Sequence, residues 1–244
     1  MAGSLHIVAT PIGNLGDVTL RALEVLKSSD FVLCEDTRVT RKLLDHYGIA
    51  TPTISFHEHS KLEKTEQIRE LLKEGKNLAL VSDAGTPGIS DPGGKLIEEI
   101  TKNTGVDPER LIKIVPIPGP SALTAAASIA GFSMDKFVFM GFPPVKKKRK
   151  KFFEEVAFSK YPVIFYESPH RILKSLGELE KILPEAKVVV CRELTKKFET
   201  IYRGTIEEVI RHILEEETRG EFAVIINTGA IEKRRYKVYK GQDR

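Results

Sequence analysis

The segment from Ser82 to Gly94 has the composition of a ligand-binding loop, with four glycines and two aspartates. Glycines let a backbone approach a ligand closely, and Asp83 lies just beyond the end of a predicted strand, where carboxylates often bind ribose hydroxyls. Asp91-Pro92 is typical of a helix N-cap followed by proline at the first helical position. A phosphate loop is disfavoured, because Ile89 stands where GxxxxGK[ST] requires its first glycine. The alternative is a long capped turn.

Two other turns contain small residues. Thr10–Asp17 includes Pro11 and Gly13, but its glycines form only part of a GxGxxG pattern, so for this loop taken alone a flexible turn is the better explanation. In the turn Pro118–Ala122, the small side chains of Ser121 and Ala122 allow a flat ligand to pack at the start of a helix. An interdomain hinge is the alternative.

Charged residues form four further groups. In Cys34–Arg38, two carboxylates and a guanidinium either position a substrate hydroxyl or form a local salt-bridge cap. His57-Glu58-His59 has two histidines that could bind a metal, but a polar loop is more common, and we predict no metal. Tyr166–Arg171 and Arg192–Lys196 are polar segments after apolar runs, with structural caps as the alternative.

The positive charge of the chain is concentrated in two places. Formal net charge is only +4, yet the tail Glu232–Arg244 alone contributes +4, and a run of six basic residues contributes +6, which leaves −6 for the rest. The run consists of Lys146, Lys147, Lys148, Arg149, Lys150 and Lys151. This distribution favours contact with a phosphate backbone over a merely solvated face.

Short apolar runs alternate with amphipathic ones, which predicts the elements that position these segments. Five predicted strands in the first half alternate with helices, so a mostly parallel sheet with helices on both faces is expected. They are Leu5–Ala9, Phe31–Cys34, Thr53–Phe56, Asn77–Val81 and Leu111–Val115. In such sheets ligands bind beyond the carboxyl ends of strands, which is where the segments above lie.

The proline-rich break Pro116–Pro120 predicts a domain boundary. We therefore expect an N-terminal α/β domain over 1–117, a C-terminal α/β domain over 118–230 and a basic tail over 231–244. In the second half Ala186–Cys191 and Phe198–Tyr202 follow one another without a helix, which predicts an antiparallel pair in a mixed sheet.

Composition excludes several classes of protein. The 244 residues are 41% hydrophobic, which is ample for a core and excludes global disorder. The two cysteines, Cys34 and Cys191, form no CxxC, so a zinc ribbon and a thioredoxin-like motif are excluded, and two buried thiols fit a reducing cytosol. Neither a signal peptide nor an apolar run of roughly 18 residues is present. A soluble cytoplasmic protein is expected.

Seven motifs taken together are far more specific than any single loop. They are VATPIGNLGD (8–17), CEDTR (34–38), SDAGTPGISDPG (82–93), PIPGPSAL (116–123), MGFPP (140–144), YESPHR (166–171) and RELTKKFET (192–200). In this order they resemble the ribosomal RNA small subunit methyltransferase I family, of the tetrapyrrole-methylase-like class. The resemblance spans about residues 5–229.

The resemblance implies two α/β domains with S-adenosylmethionine in a cleft between them. The implied reaction is methylation of the 2′-hydroxyl of a cytidine in the decoding region of 16S rRNA, as naked RNA or within the assembled 30S subunit, by a homodimer. The implied cofactor-binding residues are Pro11, Gly13, Asp83, Ala84, Gly85, Thr86, Ile89, Ser121, Ala122, Tyr166 and Leu194. The sequence departs from the family's pattern at two places. Its C-terminal segment is shorter than that of longer family members, and Ser60 stands where family members commonly have Asn.

A ribose hydroxyl is a poor nucleophile, so a general base is expected. The candidates are Glu35, Asp36, His57 and Glu167. We favour Asp36, with Arg38 binding a neighbouring phosphate. The rival hypotheses are the same fold acting on a tetrapyrrole or a protein side chain, a non-enzymatic ribosome-assembly factor that binds RNA, and, third, a nicotinamide dehydrogenase.

Overall fold

A computed structural model describes residues 2–56, 62–91, 93–102, 112–216 and 218–228. The chain divides into two compact units, Met1–Ser121 and Ala122–Arg244. This division falls four residues after the boundary expected at Ile117. His57, His59 and Ser60, and the basic tail, lie outside the described residues.

The N-terminal unit contains a five-stranded sheet in which every pair of neighbours is parallel. Its strands are β1 (Ser4–Val8), β2 (Phe31–Cys34), β3 (Thr53–Ser55), β4 (Leu78–Leu80) and β5 (Lys113–Ile117), in the order β3-β2-β4-β1-β5. Its helices are α1 (Leu20–Ser28), α2 (Thr37–His46), α3 (Leu62–Lys73) and α4 (Gly93–Thr101), with a short 3-10 helix at Leu15–Asp17. Pro116, expected to break the chain, lies within β5. Because β5 is an edge strand, a missing N–H is tolerated there.

Alternating side chains of these strands form two cores. Leu78 and Leu80 pack on one face with residues of α3 and α4, whereas Ala79 packs on the other face with residues of α1 and α2. The predicted parallel sheet with helices on both faces is thus confirmed. Neighbouring strands β1 and β4 lead to helices on opposite faces, α1 and α4, and the carboxyl ends of such strands are where open α/β sheets bind ligands.

The C-terminal unit has a mixed sheet, as predicted. Its strands are β6 (Val138–Phe139), β7 (Val163–Glu167), β8 (Lys187–Arg192), β9 (Thr200–Thr205) and β10 (Phe222–Asn227), in the order β6-β7-β10-β8-β9. Only β6 and β7 are parallel neighbours among these described strands, and the expected antiparallel pair is β8 with β9. The helices are α5 (Ala122–Ser128), α6 (Arg149–Phe158), α7 (Ile172–Ile182) and α8 (Ile206–Glu215).

Strand β9 begins two residues later than predicted, because Lys196 and Glu199 form turns that continue the loop after β8. Helices α6, α7 and α8 cover one face of this sheet, and α5 covers the other. Both cysteines are buried and free. In the described part of the chain, no helix has the length and apolar composition needed to cross a membrane.

Candidate active site

The loops after β1 and β4 are joined beyond the carboxyl ends of these strands by a pair of backbone hydrogen bonds. Thr10 N donates to Gly85 O at 2.9 Å, and Gly85 N donates to Thr10 O at 3.0 Å. Gly85 has φ of +79°, and a Cβ there would lie 3.3 Å from Cγ2 of Ile12. Glycine at this position therefore allows both the backbone conformation and the close approach of the two loops.

The turn after β5 reaches the same place. The Thr86 hydroxyl donates to Pro120 O at 3.1 Å, and a Cβ on Gly119 would lie 3.1 Å from Cβ of Ala9. Three strand-end loops thus meet within the N-terminal unit. Sequence reasoning missed Thr10 and Pro120, although each is a direct neighbour of a residue that the motifs had singled out.

The structure brings the predicted cofactor residues into two groups. In the N-terminal unit, Pro11 and Gly13 lie in the loop after β1, and the five predicted residues of the loop after β4 lie beside it, with Asp83, Ala84 and Ile89 exposed. Ser121 ends this unit, and Ala122 begins α5 of the other.

The second group lies in the C-terminal unit. Tyr166 and Leu194 pack against one apolar cluster together with Leu123, the neighbour of Ala122. Burial raises the pKa of the Tyr166 hydroxyl, which keeps this side chain neutral.

Asp36 and Arg38 bind one another at the end of β2. Asp36 is the N-cap of α2, and Oδ1 accepts from Arg38 N at 2.8 Å, while the Arg38 guanidinium donates Nη2–H to Oδ2 at 2.6 Å. These hydrogen bonds lower the pKa of the Asp36 carboxyl to about 2. The structure thus shows the salt-bridge cap that the sequence left open, and this carboxylate is a weak proton acceptor.

Glu35 stands in a contrasting environment one residue earlier. Burial, and next the negative charges of Asp83 and Asp91, raise the pKa of the Glu35 carboxyl to about 7. Asp83 reaches over from the loop after β4, because its Oδ1 accepts from Asp36 N at 3.1 Å. A carboxyl with a pKa near neutrality can take and release a proton at physiological pH.

Asp91 has the capping role predicted for it. Its Oδ1 accepts from Gly93 N, the first residue of α4, at 2.8 Å, and from Gly88 N at 2.6 Å. The side chain thereby fixes the glycine-rich loop to the start of the helix, so this loop has a defined conformation.

These residues fit S-adenosylmethionine. Small residues at Gly85 and Gly119 keep the three loops close, and Asp83 presents an exposed carboxylate that can accept hydrogen bonds from ribose hydroxyls. Negative charge on Asp83 also favours a cofactor with a positive sulfonium. Across the described ranges, no three His, Cys, Asp or Glu side chains are grouped to hold a metal.

Two predicted functional residues of the C-terminal unit are buried instead. Glu167, a candidate base, is 1% exposed, forms an ion pair with Arg171, whose Nε lies 3.0 Å from Oε1, and accepts from the Ser175 hydroxyl at 2.5 Å. Arg149, a candidate RNA contact, is 5% exposed and donates to Glu178 at 2.8 Å and to Ser175 at 2.7 Å. Both side chains are thus buried and paired with neighbouring side chains, which is the surrounding of a structural group.

The five lysines of the run remain accessible. Lys146, Lys147 and Lys148 are exposed, and the side chains of Lys150 and Lys151 are 90% and 74% exposed. Lys150 and Lys151 form long ion pairs of 3.7 Å with Glu154 and Glu155, of a kind that contributes little to stability at a surface.

Comparisons with known proteins show which family of folds this chain has. The family described as Tetrapyrrole (Corrin/Porphyrin) Methylases matches residues 4–210. The structure of diphthine synthase covers 91% of the chain and 89% of its own, with a TM-score of 0.67 at 12% identity. That of uroporphyrin-III C-methyltransferase from Thermus thermophilus, complexed with S-adenosylhomocysteine, covers 93% and 99%, with a TM-score of 0.61 at 16% identity. The fold is that of the tetrapyrrole methylases.

Proteins related in sequence identify the family more closely than the fold does. The ribosomal RNA small subunit methyltransferase I of Synechocystis sp. is 45% identical over 226 residues, which are 92% of this chain and 78% of that protein. The one from Thermotoga maritima is 41% identical over 225 residues, 92% of this chain and 98% of that protein. The chain therefore belongs to the ribosomal RNA small subunit methyltransferase I family. The prediction of S-adenosylmethionine as the cofactor is confirmed by these comparisons.

Proposed function

We propose that this protein is an S-adenosylmethionine-dependent methyltransferase that acts on small-subunit rRNA. The observation that carries the proposal is the 45% identity, over 92% of the chain, with relatives named for that activity. The finer proposal is transfer of the methyl group to the 2′-hydroxyl of a cytidine in the decoding region of 16S rRNA, by a cytoplasmic homodimer. It is supported by the seven motifs and by the accessible lysines.

S-adenosylmethionine supplies an activated methyl group on its sulfonium. The chain must bind it and align the accepting oxygen, and alignment alone contributes several kcal/mol to catalysis. Asp83, with Gly85 and the neighbouring loops, holds the cofactor in this proposal. Tyr166 and Leu194, which the motifs also assign to the cofactor, pack against one apolar cluster of the C-terminal unit.

Glu35 is the general base in this proposal, in place of Asp36. The carboxylate of Glu35 would take the proton from the ribose hydroxyl as the carbon–oxygen bond forms and the methyl–sulfur bond breaks, with S-adenosylhomocysteine as the leaving group, and would later release that proton to water. Its pKa of about 7 suits this exchange at neutral pH, whereas the pKa of Asp36 is about 2. Asp36 orients the loop through its bonds to Arg38.

The test is methyl transfer from deuterated S-adenosylmethionine to 30S subunits or to naked 16S rRNA lacking the modification, with the position mapped by mass spectrometry of nuclease fragments. We expect one labelled ribose, on a decoding-region cytidine. Label on a base, or on another rRNA, would overturn the finer proposal only. No label on rRNA, with label on a tetrapyrrole or a ribosomal protein, would overturn the function itself.

Calorimetric titration separates an enzyme from a non-enzymatic assembly factor. We expect the protein to bind S-adenosylmethionine, and Asp83→Asn to weaken that binding because the amide carries no negative charge. A wild-type protein that binds 30S subunits but not the cofactor would support the assembly-factor alternative.

A further inference from the structure

Phe142 is an exposed aromatic residue on a loop that the reaction scheme above does not use. Half of its surface is accessible to solvent, although its ring contacts that of Tyr166 with centroids 5.5 Å apart. Tyr166 in turn packs edge-on against Phe139 at 5.0 Å. One face of this aromatic cluster is therefore supported by the core while Phe142 is presented to solvent.

The loop that carries Phe142 is fixed on both sides. Tyr166 N donates to Gly141 O at 2.8 Å, which extends the pairing of β7 beyond β6. On the other side, Arg171 Nη1 donates to Pro143 O at 3.1 Å and Arg149 Nη1 donates to Pro144 O at 3.2 Å. A ring held this way loses little conformational entropy when a ligand stacks on it.

Both arginines are held by Glu167. This buried carboxylate lies 3.0 Å from Arg171 Nε and 3.9 Å from Arg149 Nη1. The basic residue of the run that turns inward thus has a structural role: Arg149 ties the start of α6 to the loop of Phe142. Lys146, Lys147 and Lys148 lie in the short segment between Pro144 and Arg149 that this hydrogen bond closes, only a few residues after Phe142 in the sequence.

We propose that Phe142 and Lys146, Lys147 and Lys148 form a binding surface for single-stranded RNA, in which Phe142 stacks on a nucleobase and the lysines contact phosphates. The proposal rests on the rRNA methyltransferase function above and specifies how that substrate is held. We define these four residues as the Phe–Lys patch.

Single-stranded RNA fits the patch because of its two kinds of contact. Stacking on an aromatic side chain requires an unpaired base, and a basic surface beside it follows the backbone. Within the described residues, the lysines of the patch form no ion pair, so their charge is available to phosphates. An apolar partner protein would not explain the charge, and a duplex would not offer a free base face.

The test is fluorescence anisotropy of a labelled single-stranded oligonucleotide with the decoding-region sequence, at several salt concentrations. Phe142→Ala should weaken binding by about tenfold, the size expected for loss of one stacked base, with an unchanged salt slope. Phe142→Trp should retain the affinity. Replacing the three lysines of the patch with serine should lower the salt slope by about 0.7 for each phosphate that is no longer neutralised. Phe158→Ala, at a 75% exposed aromatic on α6, is the matched control and should bind normally.

The outcomes distinguish failure of the Phe–Lys patch proposal from failure of the proposed function. Normal RNA binding by Phe142→Ala, in an enzyme that methylates rRNA, would overturn the patch and leave the function intact. Loss of S-adenosylmethionine affinity alone would show that Phe142 only supports Tyr166, and a change of oligomeric state in light scattering would show a face between copies; either result overturns the patch. A wild-type protein that neither binds nor methylates rRNA overturns the function, and the patch with it.

Discussion

Glu35 and Glu167 are two glutamates at the carboxyl ends of strands, with opposite surroundings. Glu35 follows β2 and faces two other carboxylates, those of Asp83 and Asp91, which together with burial raise its pKa to about 7. Glu167 ends β7 and is enclosed by the guanidinium groups of Arg149 and Arg171. The same residue type at the same kind of position is thus suited to proton transfer in one unit and to structural support in the other.

The comparison shows that strand-end placement alone does not identify a catalytic group. What separates the two glutamates is the sign of the neighbouring charges. Asp83 and Asp91, which approach Glu35, are distant from it in sequence, whereas Arg171 follows Glu167 by only four residues. The predictions below test this contrast.

The largest expected effect is on catalysis by Glu35→Gln. The amide cannot accept the ribose proton, so methyl transfer should fall by about 10²–10⁴-fold. In the wild type, kcat/KM should rise tenfold per pH unit below about pH 7 and level off above it. Glu35→Gln should remove this pH dependence, which is measured by initial rates of methyl transfer over pH 5–9.

Asp36→Asn is the matched control, because asparagine keeps the N-cap of α2 while removing the charge. It should preserve the inflection near pH 7, whatever its effect on rate. If Asp36→Asn abolished the inflection and Glu35→Gln kept it, the base would be Asp36, as the sequence favoured.

In the C-terminal unit the largest effect should be on stability. Arg149→Met leaves the buried Glu167 with one guanidinium fewer, and breaking a buried ion pair from one side typically costs about 3–5 kcal/mol. Chemical denaturation measures the free energy of unfolding. Glu178→Gln, which alters the more exposed partner of Arg149, should cost much less.

The double variant Arg149→Met with Glu167→Gln distinguishes a network from separate contacts. Each single variant leaves the remaining charged group of the buried pair without this partner, whereas the double variant removes both charges. The loss of unfolding free energy in the double variant should therefore be smaller than the sum of the losses in the two single variants. Simple additivity would contradict the view that these side chains act as one unit.

A smaller effect is expected at Gly85. An alanine there must adopt φ near +79° and meet Ile12, which costs about 1–2 kcal/mol of stability. Gly94→Ala is the control, because a Cβ at that helical position has nothing within 4 Å and alanine favours the helix. Calorimetry should show weaker S-adenosylmethionine binding for Gly85→Ala only. Equal binding by both variants would remove Gly85 from the cofactor site.

Much of the fold was predictable from the sequence, because hydrophobic periodicity is local. The strand Phe31–Cys34 has the predicted bounds, and the strands predicted at Leu5–Ala9 and Ala186–Cys191 are each shifted by a single residue, to Ser4–Val8 and Lys187–Arg192. The glycine-rich loop was also recognised, because glycine spacing and the Asp91 cap are properties of one short segment.

The electrostatics of the site were not predictable in the same way. Glu35 and Asp36 both follow β2, so their positions do not distinguish them as candidate bases, and Asp36 was favoured from the sequence alone. Nothing local shows that Arg38 pairs with Asp36 or that Asp83 approaches Glu35. Arg149 was grouped with its lysine neighbours for the same reason, since its partners Glu178 and Ser175 lie on another helix.

The smallest expected effect is on the pH dependence of stability. The pKa of Glu35 is about 7 in the folded protein, against an ordinary value of 4.5. The folded state therefore binds more protons between these values, and its stability falls as pH rises from 4.5 to about 7. Solvent screens part of the interactions that shift the pKa of Glu35, so the expected loss of unfolding free energy is about 1 kcal/mol.

Glu35→Gln stays neutral at every pH, so its free energy of unfolding should exceed that of the wild type by about 1 kcal/mol at pH 8. At pH 4, where the wild-type carboxyl is protonated in the folded state, the difference should vanish. Urea denaturation of both proteins at the two pH values measures it. A wild type more stable than Glu35→Gln at pH 8 would mean that a positive charge stabilises Glu35, as the arginines do for Glu167, and the contrast between the two glutamates would then fail.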